Sequence, residues 1–230
     1  MIADKLHQVQ QRLAQACAQA GRGVESVTLL AVSKTFDAAA VREAFAAGAR
    51  RFGENYVQEG LDKIAALADL RTQIEWHLIG PLQSNKTRPV AEQFDWVHSV
   101  DRLKIAQRLS EQRPAHLPAL QLCLQVNISG EPSKSGLRPD ELPAVAQAVA
   151  ALPRVTLRGL MAIPEPADGF EAQRAPHRAL RELLASLQSQ GLALDTLSIG
   201  MSADLEAAVM EGATIVRIGS AIFGGRATPG

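Results

Sequence analysis

Eight short runs of apolar and β-branched residues, each separated from the next by a stretch with helical patterning, set the strongest limit on how this chain can fold. The runs are VTLLAVS (27–33), RFGE (51–54), IEWHLIG (74–80), FDWVHSV (94–100), LQLCLQVN (120–127), VTLRGLMAI (155–163), TLSIG (196–200) and TIVRIG (214–219). Between them lie segments such as AAAVREAFAAGA (38–49) and PAVAQAVAAL (143–152), long enough for the crossover that joins parallel strands. Eight strand-then-helix repeats argue for a closed parallel barrel. A doubly wound open sheet is the competing architecture, but no GxGxxG follows the first run. Ahead of the repeats, residues 3–20 place Leu6, Val9, Leu13 and Cys17 at helical spacing. The expectation is therefore an α/β fold, a (β/α)8 TIM barrel with an extra N-terminal helix, as one domain over residues 1–230.

Composition narrows the function classes. The 24 basic and 24 acidic side chains cancel, so nothing in the charge balance points to nucleic acid or a membrane surface. Cys17 and Cys123 have no spacing suited to zinc or redox chemistry, and they read as buried free thiols with no metal site. The polar N-terminus resembles neither a signal peptide nor a membrane span, and the expectation is a cytoplasmic monomer.

In a parallel barrel the chemistry gathers at the carboxyl ends of the strands. Lys34 ends the first run, where its amine points either into the barrel mouth or to solvent. In the mouth, desolvation would favour the neutral amine that a Schiff base requires; in solvent it would be an ordinary surface lysine. Asn55 ends the second run. Ser198, Met201 and Ser202 follow the seventh, and Arg217, Gly219 and Ser220 belong to the eighth. Two Gly/Ser turns after strands seven and eight are where barrels commonly hold a phosphate on backbone N–H groups. Ser202 could equally cap a helix over 203–212, and Gly219 could simply make a turn.

Arg217, inside an apolar run, needs an acceptor: either a barrel carboxylate such as Glu75 or a ring nitrogen of the same cofactor. His77 is a further candidate contact, competing with the role of a hydrogen-bonded core histidine. Asn127 and the SGEPSKSG loop face the same mouth or make an ordinary turn, with Lys134 a solvated charge. Residues 164–176 form the longest turn-rich stretch.

Together AVSK (31–34), FGENYVQE (52–59), WHLIGPLQSNK (76–86), LQVNISGEPSKSG (124–136), GLMAIP (159–164), LSIGMSAD (197–204) and VRIGSAIFG (216–224) closely resemble the pyridoxal phosphate homeostasis family. Ile199 and Ser220 stand where members often carry methionine and threonine. The resemblance implies a barrel similar to the N-terminal domain of alanine racemase, with pyridoxal 5'-phosphate (PLP) held as an internal imine on Lys34. It also implies a pyridine-nitrogen contact from Arg217 and a phosphate cradle of Ser202, Gly219 and Ser220. Racemases of this fold draw a second acid/base group, commonly a tyrosine, from an added β domain. The only tyrosine here is Tyr56, and the chain ends soon after the eighth run. The implied role is intracellular vitamin B6 homeostasis, with PLP-dependent apo-enzymes as candidate recipients; a PLP-dependent amino-acid racemase is the alternative.

Overall fold

The computed structural model describes residues 1–225. β1 (Thr28–Val32), β2 (Arg51–Glu54), β3 (Glu75–Leu78), β4 (Trp96–Val100), β5 (Leu120–Gln125), β6 (Val155–Met161), β7 (Thr196–Ser198) and β8 (Ile215–Ile218) lie parallel in sequence order. β8 returns to pair with β1, Thr28 opposite Ile215 and Ala31 opposite Ile218, so the sheet closes and the open doubly wound alternative is excluded.

An outer ring of helices covers the sheet: α2 (Ala38–Ala46), α3 (Val57–Ala66), α4 (Thr87–Gln93), α5 (Leu103–Gln112), α6 (Leu142–Ala150), α7 (Phe170–Ser189), α8 (Leu205–Met210) and α9 (Ser220–Phe223). The additional N-terminal helix, α1 (Ile2–Gln19), buries Leu6, Val9, Leu13, Ala16 and Cys17. It packs against α2, α8 and α9 and so covers the outside of the β8–β1 seam. Each fully buried leucine there contributes roughly 1.5–3 kcal/mol. Arg12 adds a two-pronged pair with Glu206, at 2.6 and 2.8 Å.

Two expectations are corrected. The turn-rich stretch ends at Gly169, because α7 begins at Phe170 and continues through Pro176, which merely forgoes one helical donor. Ser202 caps no helix: α8 starts at Leu205 after Asp204, whose carboxylate is engaged elsewhere.

Strand alternation divides the apolar residues between the two faces of the sheet. Ala31, Trp76, Leu78, Val97, Leu122, Leu124, Leu160 and Val216 face the helices, while Leu30, Val32, Ile79, Trp96, Cys123, Met161 and Ile215 form a separate cluster inside the barrel. Both cysteines are free and buried, and burial pushes the Cys123 thiol up to about 12, which removes it as a nucleophile at neutral pH.

Two register shifts re-aim side chains. One extra residue between Val97 and Val100 on β4 accommodates His98 and Ser99, and Arg158 is the extra residue where β6 passes β5. The Arg158 guanidinium reaches both carboxylate oxygens of Asp195 and the Gln121 amide oxygen.

At Gly159 the backbones of β6 and β7 meet: a Cβ there would lie 1.8 Å from the Thr196 carbonyl oxygen. Gly159→Ala must push these strands apart and is expected to cost about 1–3 kcal/mol or more, as overpacking does. Urea unfolding followed by circular dichroism checks this; an unchanged midpoint would contradict the contact.

Candidate functional site

The carboxyl ends of β1, β2, β7 and β8 open into one cavity of about 490 Å³, within the range of about 300–1,000 Å³ usual for small-molecule sites. Lys34, Asn55, Met201, Ser202, Arg217, Gly219 and Ser220 all line it, and Val32, Phe36, Ile79 and Ile163 supply apolar walls. An amine from the start of the chain thus shares a cavity with two turns from its far end.

A buried charge cluster fixes the turn that carries Lys34. Lys63, on α3, donates to the Ser33 carbonyl at 2.6 Å, to Glu54 Oε1 at 2.8 Å and to Glu59 Oε1 at 2.9 Å. The Ser33 hydroxyl donates to the same Glu54 oxygen. Next to Lys34, Thr35 adopts a left-handed φ of 68°, which is unfavourable for a residue with a branched Cβ. Its N–H donates to Glu59, a bond that helps hold the conformation. Burial pushes the Glu54 carboxyl above its ordinary range, against the opposing pull of Lys63 and Ser33. Lys63, Glu59 and Thr35 carry no strand-end signal in the sequence; only a lysine placed i,i+4 from Glu59 hints at the pair.

At the cavity floor, Arg217 donates to the Ser198 carbonyl at 2.6 Å, to the Ser198 hydroxyl at 2.8 Å and to the Ala162 carbonyl at 3.0 Å. Burial brings its pKa down to about 10, so it stays charged at neutral pH. No direct bridge to Glu75 forms: that carboxylate pairs with His77 and, at 3.6 Å, with Arg51.

The turn after β7 is braced from behind. Asp204 accepts the Met201 N–H at 2.8 Å and pairs with His177 Nε2 at 2.8 Å. Burial pushes the Asp204 carboxyl up, but these two hydrogen bonds outweigh it and hold the group below its ordinary value. The turn after β2 depends on Gly80, where a Cβ would sit 2.0 Å from the Asn55 carbonyl oxygen.

His77 and Ser198 need correction as direct cavity contacts. Both are fully buried inside the barrel and neither lines the cavity. His77 lies three residues before Gly80, so its inward side chain falls in a lower layer, at about 3.3 Å per residue. Ser198 is covered by Arg217. Asn127 makes a local turn, donating to the Glu131 carbonyl and accepting from Gly130, while Lys134 is not simply solvated but pairs with Glu165. Asn127 and Lys134 line a smaller adjoining cavity shared with Asn55 and Ile163.

The residues present suit PLP. A half-buried primary amine stands in the same cavity as two hydroxyls, a compact turn and a guanidinium. The buried Asn55 Oδ1 has no partner among the described residues, and a ring hydroxyl would supply the missing donor. Among the described residues no group of three or more His, Cys, Asp or Glu could hold a metal, and no helix is long and apolar enough to cross a membrane.

Residues 5–227 match the profile of the alanine racemase N-terminal domain family. A pyridoxal phosphate homeostasis protein of Pseudomonas aeruginosa is 64% identical over 225 residues, covering 98% of this chain and 96% of that protein. Its Escherichia coli K12 counterpart is 55% identical over 226 residues, covering 98% and 97%. Among solved structures, PipY of Synechococcus elongatus PCC7942 with PLP bound superposes with a TM-score of 0.86 at 42% identity, covering 97% of this chain and 100% of that one. Alanine racemase from Corynebacterium glutamicum shares the fold, with a TM-score of 0.68 at 21% identity over 96% of this chain and 59% of its own.

Asp204→Asn keeps an acceptor for Met201 but loses the charge. Because the folded-state carboxyl lies below its unfolded value, its contribution is present above the unfolded pKa and is lost as pH falls through the folded one. The variant is expected to be about 1.5–3 kcal/mol less stable at pH 7, the scale of a charged hydrogen bond. The gap should shrink below about pH 4, where the unfolded carboxyl itself protonates. Urea unfolding across that range measures it; a pH-independent difference would contradict the charge argument.

Proposed function

The chain belongs to the pyridoxal phosphate homeostasis proteins, within the alanine racemase N-terminal domain family, and on that premise we propose that it binds PLP in the Lys34 cavity and serves intracellular vitamin B6 homeostasis. The observation that carries this reading is the convergence of Lys34, Asn55, Arg217 and the two Gly/Ser turns on one cavity. The solved relative with PLP bound supports it.

In this proposal Lys34 condenses with the cofactor aldehyde, forming a C=N bond and releasing one water; one water reverses the step, and a free amine instead takes the lysine's place, forming its own C=N bond as the Lys34 amine is released. Ser202, Gly219 and Ser220 hold the phosphate through hydroxyl and backbone donors. Arg217 faces the pyridine nitrogen, and a guanidinium that stays charged leaves that nitrogen unprotonated, which weakens the ring as an electron sink. The bound group supplies a reactive aldehyde; the protein holds it, shields it and yields it to amines or to apo-enzymes.

One observation favours holding over turnover. Among the described side chains lining the cavity only Lys34 and Arg217 are titratable, whereas racemisation needs a second acid/base group on the opposite face of the substrate. Tyr56, at the start of α3, is about half exposed and does not line the cavity.

Incubation with PLP is expected to give the violet absorbance of an imine, lost in Lys34→Ala; full retention by the variant would reject Lys34 as the anchor. Purified protein should leave the Cα protons of free amino acids unexchanged in deuterated water. Rapid exchange would favour the racemase alternative.

A further inference from the structure

Behind Arg217 the barrel interior contains a continuous polar chain. Ser198 Oγ, which accepts from Arg217, lies 2.7 Å from His98 Nδ1. His98 Nε2 lies 2.8 Å from His77 Nδ1, and His77 Nε2 lies 2.7 Å from Glu75 Oε1. Ser198, His98 and His77 are fully buried. Glu75 is partly exposed and, with Arg51, Arg158 and Asp195, lines a second cavity of about 500 Å³ at the amino-terminal end of the barrel. The chain therefore spans the barrel from one opening to the other.

Its two ends fix every proton in it. A guanidinium only donates and a carboxylate only accepts. Burial lowers the pKa of both histidines, that of His98 most, so each is neutral at physiological pH and carries one ring N–H. Glu75 takes the His77 Nε2 proton, which leaves Nδ1 an acceptor. His98 must then donate from Nε2, and its own Nδ1 accepts the Ser198 hydroxyl proton while the serine oxygen receives Arg217. With neutral imidazoles no other order satisfies all four links, and aligned donors of this kind polarise one another.

The surroundings are mixed in charge. His77 faces Glu75 on its own strand, Arg51 on β2, Asp95 ahead of β4 and the stacked Trp96 ring at 5.1 Å. His98 faces His77 and Arg217.

We infer that Glu75, His77, His98 and Ser198 form a positioning relay that orients Arg217 and makes it responsive to the hydrogen-bond acceptor at the opposite opening of the barrel. Its extension to the cofactor rests on the reading of Arg217 as the ring-nitrogen contact; the relay itself does not.

The test begins on cofactor-free protein labelled with nitrogen-15. The side-chain spectrum is expected to show His77 and His98 both protonated at Nε2. Glu75→Gln keeps an acceptor and should preserve that pattern. Glu75→Leu removes it and should move both rings toward Nδ1 protonation and shift the Arg217 Nε–H resonance, with thermal unfolding confirming that the fold is intact. Wild-type resonances in Glu75→Leu, or a different tautomer pattern in the wild type, would overturn the relay. In the second arm, PLP added to each protein should give an absorbance maximum displaced in Glu75→Leu only. An unmoved maximum beside a shifted Arg217 resonance would overturn the extension to the cofactor. Failure of the wild type itself to form the band would instead count against the proposed function, while the cofactor-free result still decides the relay.

Discussion

The pairing of the last strand with the first is the constraint on which the rest of the structure depends. Leu30 lies opposite Arg217 and Ala31 opposite Ile218, and this register brings the turn after β1 beside the turn after β8. Within three residues of the last of these pairs the chain reaches Lys34 on one side and Gly219 and Ser220 on the other. A slip of one residue would reverse every side chain between the interior and the helix face, which the two separate apolar clusters resist. α1 reinforces the seam from outside by packing against α2, α8 and α9.

A buried guanidinium at the centre of that seam dictates the polar content of the interior. Placing Arg217 inside the barrel without acceptors would cost several kcal/mol. Two backbone carbonyls and the Ser198 hydroxyl supply them. The serine then has a proton to place, His98 takes it, and the sequence of needs ends only at Glu75, where solvent can share the charge. The register shift on β4 that admits His98 and Ser99 is part of the same solution.

The lysine turn is organised on the opposite principle, by charges packed beneath it rather than inside the barrel. Lys63 draws Ser33, Glu54 and Glu59 together, and Thr35 accepts an unfavourable backbone conformation with Glu59 as its partner. Rigidity there fixes where the Lys34 amine stands in the cavity.

By itself the sequence determined the number and order of the strands, the N-terminal helix and the carboxyl-end positions of Lys34, Asn55 and Arg217, because periodicity and strand-end placement are local properties of the chain. Barrel closure was legible as a count of eight repeats. Only the tertiary structure decided how Arg217 is satisfied, that His77 and Ser198 lie behind the cavity rather than in it, and that Lys63 clamps the Lys34 turn. It also decided that Asp204 braces the Met201 turn instead of Ser202 capping a helix. The physical reason is common to all of them: each depends on partners from other strands and helices, such as Glu75 with His77 and His98 or Asp204 with His177, 27 residues apart, and pairing at that range is fixed by register and packing depth rather than by spacing along the chain.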